Sequence, residues 1–254
     1  MATNGCIDDF DKPPCSRPSL DAGDVHDWKG EIGVEFPRIP RFWSVLAKEE
    51  RERANRFYFS PDRDRFIVCR GLLRQIIAEY LDEDPVLIAF LCKPHRKPYL
   101  AGGCTEADLR FNISHSNDRA LFAFSRGREV GVDIEWIDAK PAKEQIAERF
   151  FSPEEVSALR ALPSAQQTEA FFLCWTRKEA FVKARGEGLN VPLDQFAVSL
   201  EPGRPTSLLW VQGNPHETQR WSLRNLNPGA GYAAALVVES GASEVRCWGL
   251  PQSL

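Results

Sequence analysis

Apolar residues along this chain recur in two rhythms, and the order of those rhythms predicts an architecture. Residues 1–23 are rich in Asp, Pro, Gly and Ser and carry almost no apolar periodicity, which reads as a loose tail. Residues 25–32, with Trp28, read as a first strand. Residues 42–59 read as a helix with a dense charged face of Lys48, Glu49, Glu50, Arg51, Glu52, Arg53 and Arg56. Ser60 and Pro61 supply a cap and a first-turn proline for a second helix reaching Leu81. Its Phe66, Cys69, Leu73, Ile76 and Tyr80 recur at helical spacing and are expected to face a core.

Short apolar runs at 86–91, 111–114, 121–124 and 130–135 read as strands, the last two joined by a hairpin at 125–128. A short helix is expected at 146–151. Ser152 and Glu155 then have capping-box spacing for another. A long helix at 166–185 is stopped by Gly186 and Gly188, and strands follow at 190–200, 221–223 and 232–238. A helical segment followed by strands thus occurs twice, over 25–125 and 126–240. That order predicts an α+β fold of two packed halves with a cleft between them. The expected boundaries are a tail at 1–23, an N-terminal lobe at 24–126 and a C-terminal lobe at 127–254.

Composition narrows the function. The 254 residues carry a net charge of −4, against the basic excess expected of a nucleic-acid binder. The seven cysteines are odd in number, irregularly spaced and free of any CxxC, so zinc-ribbon and disulfide-scaffold readings fail. Free thiols in a reducing, cytoplasmic setting are expected instead. The N-terminus has no apolar signal region, and no apolar run approaches the ~20 residues of a membrane helix.

Four segments carry candidate chemistry. In Gly131-Val132-Asp133-Ile134-Glu135 the strand period puts both carboxylates on one face. Two adjacent carboxylates repel unless a cation lies between them, and hard oxygen donors of this kind suit magnesium. A solvated edge strand would show the same alternation. In the helix from Trp175 to Lys183, positions 175, 179 and 183 stack at i, i+4, which brings a third carboxylate, Glu179, one turn from the Lys183 ammonium. A plain surface Glu–Lys pair is the bland alternative. Asn112, Ser114, His115 and Ser116 offer groups able to bind phosphate oxygens, or simply a self-capped turn. No G-x-S-x-G elbow accompanies them, which argues against a serine hydrolase. Arg96 and Lys97, before Pro98, form a basic loop fit for an anion or for solvent.

Taken together, in this order and spacing, the four segments resemble the Sfp-type 4′-phosphopantetheinyl transferases. Arg149, Phe150, Phe151 and Ser152 also look like that family, and the likeness runs over roughly 40–200. The resemblance implies a pseudo-dimer of two similar α+β lobes in one chain, acting as a monomer, unlike the smaller trimeric holo-synthase type. It implies transfer of the 4′-phosphopantetheine arm of coenzyme A to a serine of an apo acyl, peptidyl or polyketide carrier protein, with 3′,5′-ADP released. It implies magnesium on Asp133, Glu135 and Glu179, and Lys183 on a pyrophosphate oxygen. It implies Arg53, Lys97, Ser114 and His115 on coenzyme A, His115 at the 3′-phosphate. Glu179 or a metal-bound water would take the serine proton. Lys178 matches the pattern without an evident role.

Three departures stand out. Glu50 occupies a position where the family has a lysine, the Gly102-Gly103-Cys104 insertion is extra, and the N-terminal extension has no counterpart. Two other classes compete with this reading. A catalytically silent relative that only binds carriers would have no reason to keep the carboxylates together. A magnesium nuclease built on Asp133 and Glu135 would call for a lysine where Ile137 stands.

Overall fold

Two 22-residue helices, one laid across a mixed sheet and the other across an antiparallel one, organise the chain. The structure, a computed structural model, describes residues 10–13, 18–92, 98–101, 108–138, 143–186, 191–201, 205–240 and 244–250. Among these, the strands are β1 (Asp24–Glu31), β2 (Phe90–Cys92), β3 (Pro98–Leu100), β4 (Leu109–Ser116), β5 (Arg119–Arg126), β6 (Val130–Trp136), β7 (Phe196–Val198), β8 (Leu208–Val211), β9 (Trp221–Leu226), β10 (Tyr232–Glu239) and β11 (Glu244–Gly249). The α-helices are α1 (Ile32–Glu35), α2 (Ile39–Val45), α3 (Lys48–Asn55), α4 (Ser60–Leu81), α5 (Lys143–Phe150), α6 (Pro153–Ala161), α7 (Ser164–Arg185) and α8 (Glu217–Arg220).

The first sheet has the order β11-β1-β5-β4 and the second β6-β10-β9. One face of the first sheet meets α4, through Trp28, Phe111, Phe122 and Phe124 against Leu72, Leu73, Ile76 and Tyr80. One face of the second meets α7, through Ala235 and Val237 against Ala180, Phe181 and Ala184. The remaining faces pack on each other: Val25, Leu121 and Ala123 lie against Val132, Ile134, Ala234, Leu236 and Val238. The result is a helix–sheet–sheet–helix stack, the two-lobed α+β architecture expected from the sequence. It also explains why 232–238 is apolar without alternation, since both faces of β10 are covered.

Glycine has one decisive place in this stack. A Cβ at Gly131 would overlap the Ala180 carbonyl and the Ala184 amide of α7. The bare backbone there lets α7 lie directly on β6.

Several local expectations are corrected. The helix expected at 42–59 is two, α2 and α3, broken where Leu46 and Ala47 turn extended. The Glu50 carboxylate accepts from the Ala47 amide at 2.9 Å and so starts α3 afresh. The strand expected at 86–91 is a turn that leaves Val86 and Leu87 exposed. There the Asp84 carboxylate accepts from the Val86 amide, and only Phe90–Cys92 is extended. The tail is partly anchored: Leu20 is buried in the first core, and Asp11 bridges to Trp248. The last strand does not stay in the C-terminal lobe, because β11 crosses back and pairs in parallel with β1, Asp27 opposite Cys247. No helix among the described residues is long and apolar enough to cross a membrane. Cys69, Cys174 and Cys247 are buried free thiols.

Asp27 sits in β1, fully buried, and neither carboxylate oxygen has a well-formed hydrogen bond. Burial pushes its pKa well above the usual carboxylate range, and the nearby Trp28 amide offsets this only in part. A carboxyl raised on folding favours the fold when protonated, so stability falls as pH climbs above the unfolded value near ~4. Asp27→Asn is therefore expected to raise Tm at pH 8 by at least about 2 °C, the shift that roughly 1 kcal/mol produces in a chain of this size. The gain should shrink toward pH 4. A gain of constant size across pH, followed by circular dichroism melts, would assign the effect to shape instead.

Candidate active site

The strand period turns residues 131, 133 and 135 of β6 toward α7, and the missing side chain at Gly131 lets α7 come close. Glu179 and Lys183, one helical turn apart, are thereby brought over Asp133. The Lys183 ammonium donates to Asp133 Oδ1 at 2.6 Å and to Ser114 Oγ at 2.9 Å. The Ser114 hydroxyl donates to the same Asp133 oxygen at 2.8 Å. Asp133 is buried, at 3% exposure, and its Oδ2 has no hydrogen-bond partner. A buried carboxylate oxygen without a donor is costly to maintain unless something positive is meant to meet it.

Glu135 and Glu179 are half-buried on either side. Burial raises the pKa of each, the Asp133 charge raises both further, and Lys183 opposes the shift. Glu179 also raises Glu135, and the hydroxyl of Ser116 holds it down. The three carboxylates therefore feel one another, as the sequence predicts. Among the described residues no three His, Cys, Asp or Glu side chains yet stand close enough to clasp a metal. The fit rests on the donor set: hard oxygens, mutual repulsion and one orphaned buried oxygen, all of which a divalent cation would relieve.

β4 supplies the opposite wall. Its odd residues face the α4 core, and its even residues reach across to β6. The Asn112 side-chain oxygen, Oδ1, accepts from the Val132 amide at 2.9 Å. The Ser116 hydroxyl donates to Glu135 Oε2 at 2.9 Å and accepts from the Trp136 amide at 2.9 Å. The side-chain rungs join the two lobes at the site. The sequence suggested phosphate binding or a self-capped turn for this segment and not the bonds of Ser116 and Asn112 to β6, although their period-2 spacing with Ser114 was the available signal.

Ser114, expected on coenzyme A, is here tied to Asp133 and Lys183. The neighbouring His115 is exposed, yet surrounding protein lowers its pKa, with Lys183 and then Arg65 adding to the shift. Arg65, unnoticed in the sequence, thus bears on His115 from the first turns of α4. Arg53 lies over the Phe66 ring of α4 at 5.1 Å. Glu50, whose departure raised a question about the nucleotide contacts, is engaged elsewhere: Arg74 Nη2 and Arg70 Nε meet its oxygens at 2.7 and 3.2 Å. Lys97 falls outside the described residues.

Lys178 gains a definite place. It is fully buried, and its ammonium donates to both Glu155 oxygens, at 2.8 and 2.6 Å, and to the Phe196 carbonyl at 2.7 Å. Glu155 also accepts from the Ser152 and Val198 amides, each at 2.8 Å. The capping box expected at Ser152 is thus also the counter-charge of Lys178. Trp175 on the same helix packs among Phe150, Phe151 and Phe171.

Residues 129–237 match the family described as the 4′-phosphopantetheinyl transferase superfamily. Residues 37–126 match the 4′-phosphopantetheinyl transferase N-terminal family. The 4′-phosphopantetheinyl transferase HetI of Nostoc sp. is 35% identical over 237 residues, covering 93% of this chain and 96% of that protein. The 4′-phosphopantetheinyl transferase Sfp of Bacillus subtilis is 37% identical over 168 residues, 66% of this chain and 72% of that one. The 4′-phosphopantetheinyl transferase psf-1 of Bacillus pumilus is 36% identical over 187 residues, 73% and 78% respectively.

Proposed function

The chain belongs to the 4′-phosphopantetheinyl transferase superfamily, and from that membership we propose how its cleft residues divide the work. The enzyme transfers the phosphopantetheine arm of coenzyme A to a carrier protein. A serine oxygen of the apo carrier forms a bond to the arm's phosphorus, and the bond from that phosphorus to the departing 3′,5′-ADP breaks.

Asp133, Glu135 and Glu179 would hold a magnesium ion. Bound there, the ion would neutralise charge on the pyrophosphate and ease departure of the leaving phosphate. Lys183, held by Asp133 and Ser114, would bring its ammonium to a pyrophosphate oxygen and neutralise charge there. Glu179, half-buried beside Asp133, would take the serine proton. His115, exposed beside Lys183 and Arg65, binds the 3′-phosphate, with Arg53 and Lys97 as further nucleotide contacts. The carrier is an acyl, peptidyl or polyketide carrier domain, as used in fatty-acid, polyketide and nonribosomal-peptide synthesis. Buried free thiols and a net charge of −4 support a cytoplasmic enzyme with no nucleic-acid or membrane partner. The two stacked lobes support a monomer.

The observation that carries this reading is the approach of Glu179 and Lys183 to a buried Asp133 with one orphaned oxygen. The test is intact-protein mass spectrometry with coenzyme A, magnesium and a panel of apo carrier domains. A mass gain equal to the phosphopantetheine arm, abolished by EDTA, is expected on at least one carrier. Coenzyme A binding without any gain would instead identify a silent carrier-binding relative. In the same assay, His115→Ala is expected to raise KM for coenzyme A more than it lowers kcat. Equal use of coenzyme A and its 3′-dephospho form by the unaltered enzyme would contradict that role for His115.

A further inference from the structure

Each β6 carboxylate is gripped by a hydroxyl from the opposite lobe. Ser114 holds Asp133, but Lys183 shares that oxygen. Ser116 serves Glu135 alone among these groups. Its hydroxyl accepts from the Trp136 amide and donates to Glu135 Oε2. A serine hydroxyl has one proton. With the backbone N–H aimed at its oxygen, that proton is committed to the carboxylate. Glu135 Oε1 is left for another partner. The Asn112 rung, bonded to the Val132 amide, sets the stagger that puts each hydroxyl opposite its carboxylate.

A purely structural role would be served more simply. Trp136 is 42% exposed at the end of β6, where water can satisfy a backbone amide. The serine is needed to aim the carboxylate.

We propose that Ser116 is a positioning residue that holds the Glu135 carboxylate in ligand orientation from the other lobe, and thereby sets the enzyme's affinity for its divalent cation. The proposal rests on the metal reading given above and deepens it. Removing a hydrogen-bond partner of a metal ligand typically costs about 10–100-fold in metal affinity.

The experiment measures Mn2+ binding to the full chain by electron paramagnetic resonance, with transfer assays alongside. Ser116→Val and Ser116→Thr have the same shape and differ by the hydroxyl. The valine variant is expected to bind Mn2+ at least about tenfold more weakly. It should need correspondingly more Mg2+ for half-maximal transfer, with KM for coenzyme A and kcat at saturating metal nearly unchanged. The threonine variant should restore the affinity. If the valine branch strains the strand and lowers Tm, Ser116→Ala must show the same loss. Unchanged Mn2+ affinity in a folded variant without the hydroxyl overturns the proposal, as does failure of threonine to restore it. Glu135→Ala separates the two levels. If that variant binds Mn2+ as the unaltered enzyme does, the metal reading itself fails; if it loses Mn2+ while Ser116→Val does not, only the positioning role fails.

Discussion

Asp133→Ala is expected to slow carrier loading by about 10²–10³-fold or more, the loss seen when one preorganised electrostatic group is removed from a reaction centre. Asp133 is the hub of the site: it holds Lys183 and Ser114 through one oxygen, and its other oxygen is buried without a hydrogen-bond partner. On the proposed reading its loss removes a metal ligand and also frees the lysine. The fold should survive, because the Lys183 side chain is 28% exposed and can turn to water. Removing Asp133 also relieves its repulsion of Glu135 and Glu179. Two measurements decide the matter, a loading time course by mass spectrometry and a melting curve. Near-normal loading would remove Asp133 from the mechanism. Lost loading together with a collapsed melting curve would make it a folding residue.

Glu155→Ala should do the reverse, damaging the fold first. Lys178 and Glu155 are 0% and 2% exposed. Deleting one partner of such a pair strands the other charge out of water, at about 3–5 kcal/mol. The deletion also removes the acceptor for the Ser152 and Val198 amides, and with it one of the two bonds of the α6 capping box, leaving the Ser152 hydroxyl to accept from the backbone amide of residue 155. A urea midpoint lowered in proportion is expected, with loading restored by conditions that restore the fold. A variant as stable as the unaltered protein would show that water reaches Lys178. The pair of lysines on α7 therefore separates cleanly. Lys178 acts through stability, whereas Lys183→Ala should lower the rate and leave the melting curve in place.

Much of the site was legible because its signals are local. Period-2 spacing paired Asp133 with Glu135, period-3.6 spacing paired Glu179 with Lys183, and α4, α7 and β10 carried long, consistent patterns. Residues whose partners lie far along the chain were not legible. Glu50 looked like a misplaced charge on a helix face, but it meets Arg70 and Arg74 of the next helix and restarts α3. Lys178 matched a pattern without a role, because its counter-charge stands in another capping box. Ser116 was one hydroxyl in a polar run until β6 was placed beside it. The strand β11 has only a weak local pattern, and its identity comes from the partner it pairs with.

That pairing has a consequence for how the protein is made. β1 leaves the ribosome long before its parallel partner, β11. Until residues 244–249 emerge, one edge of the first sheet has no strand beside it, although β5 can already pair on the other. An uncovered edge is a template for another nascent chain. Non-local pairing of this kind is also slow to form. The first lobe is thus exposed to misassembly during translation, and a fusion that blocks 244–249 would leave the β1 edge uncovered after synthesis as well.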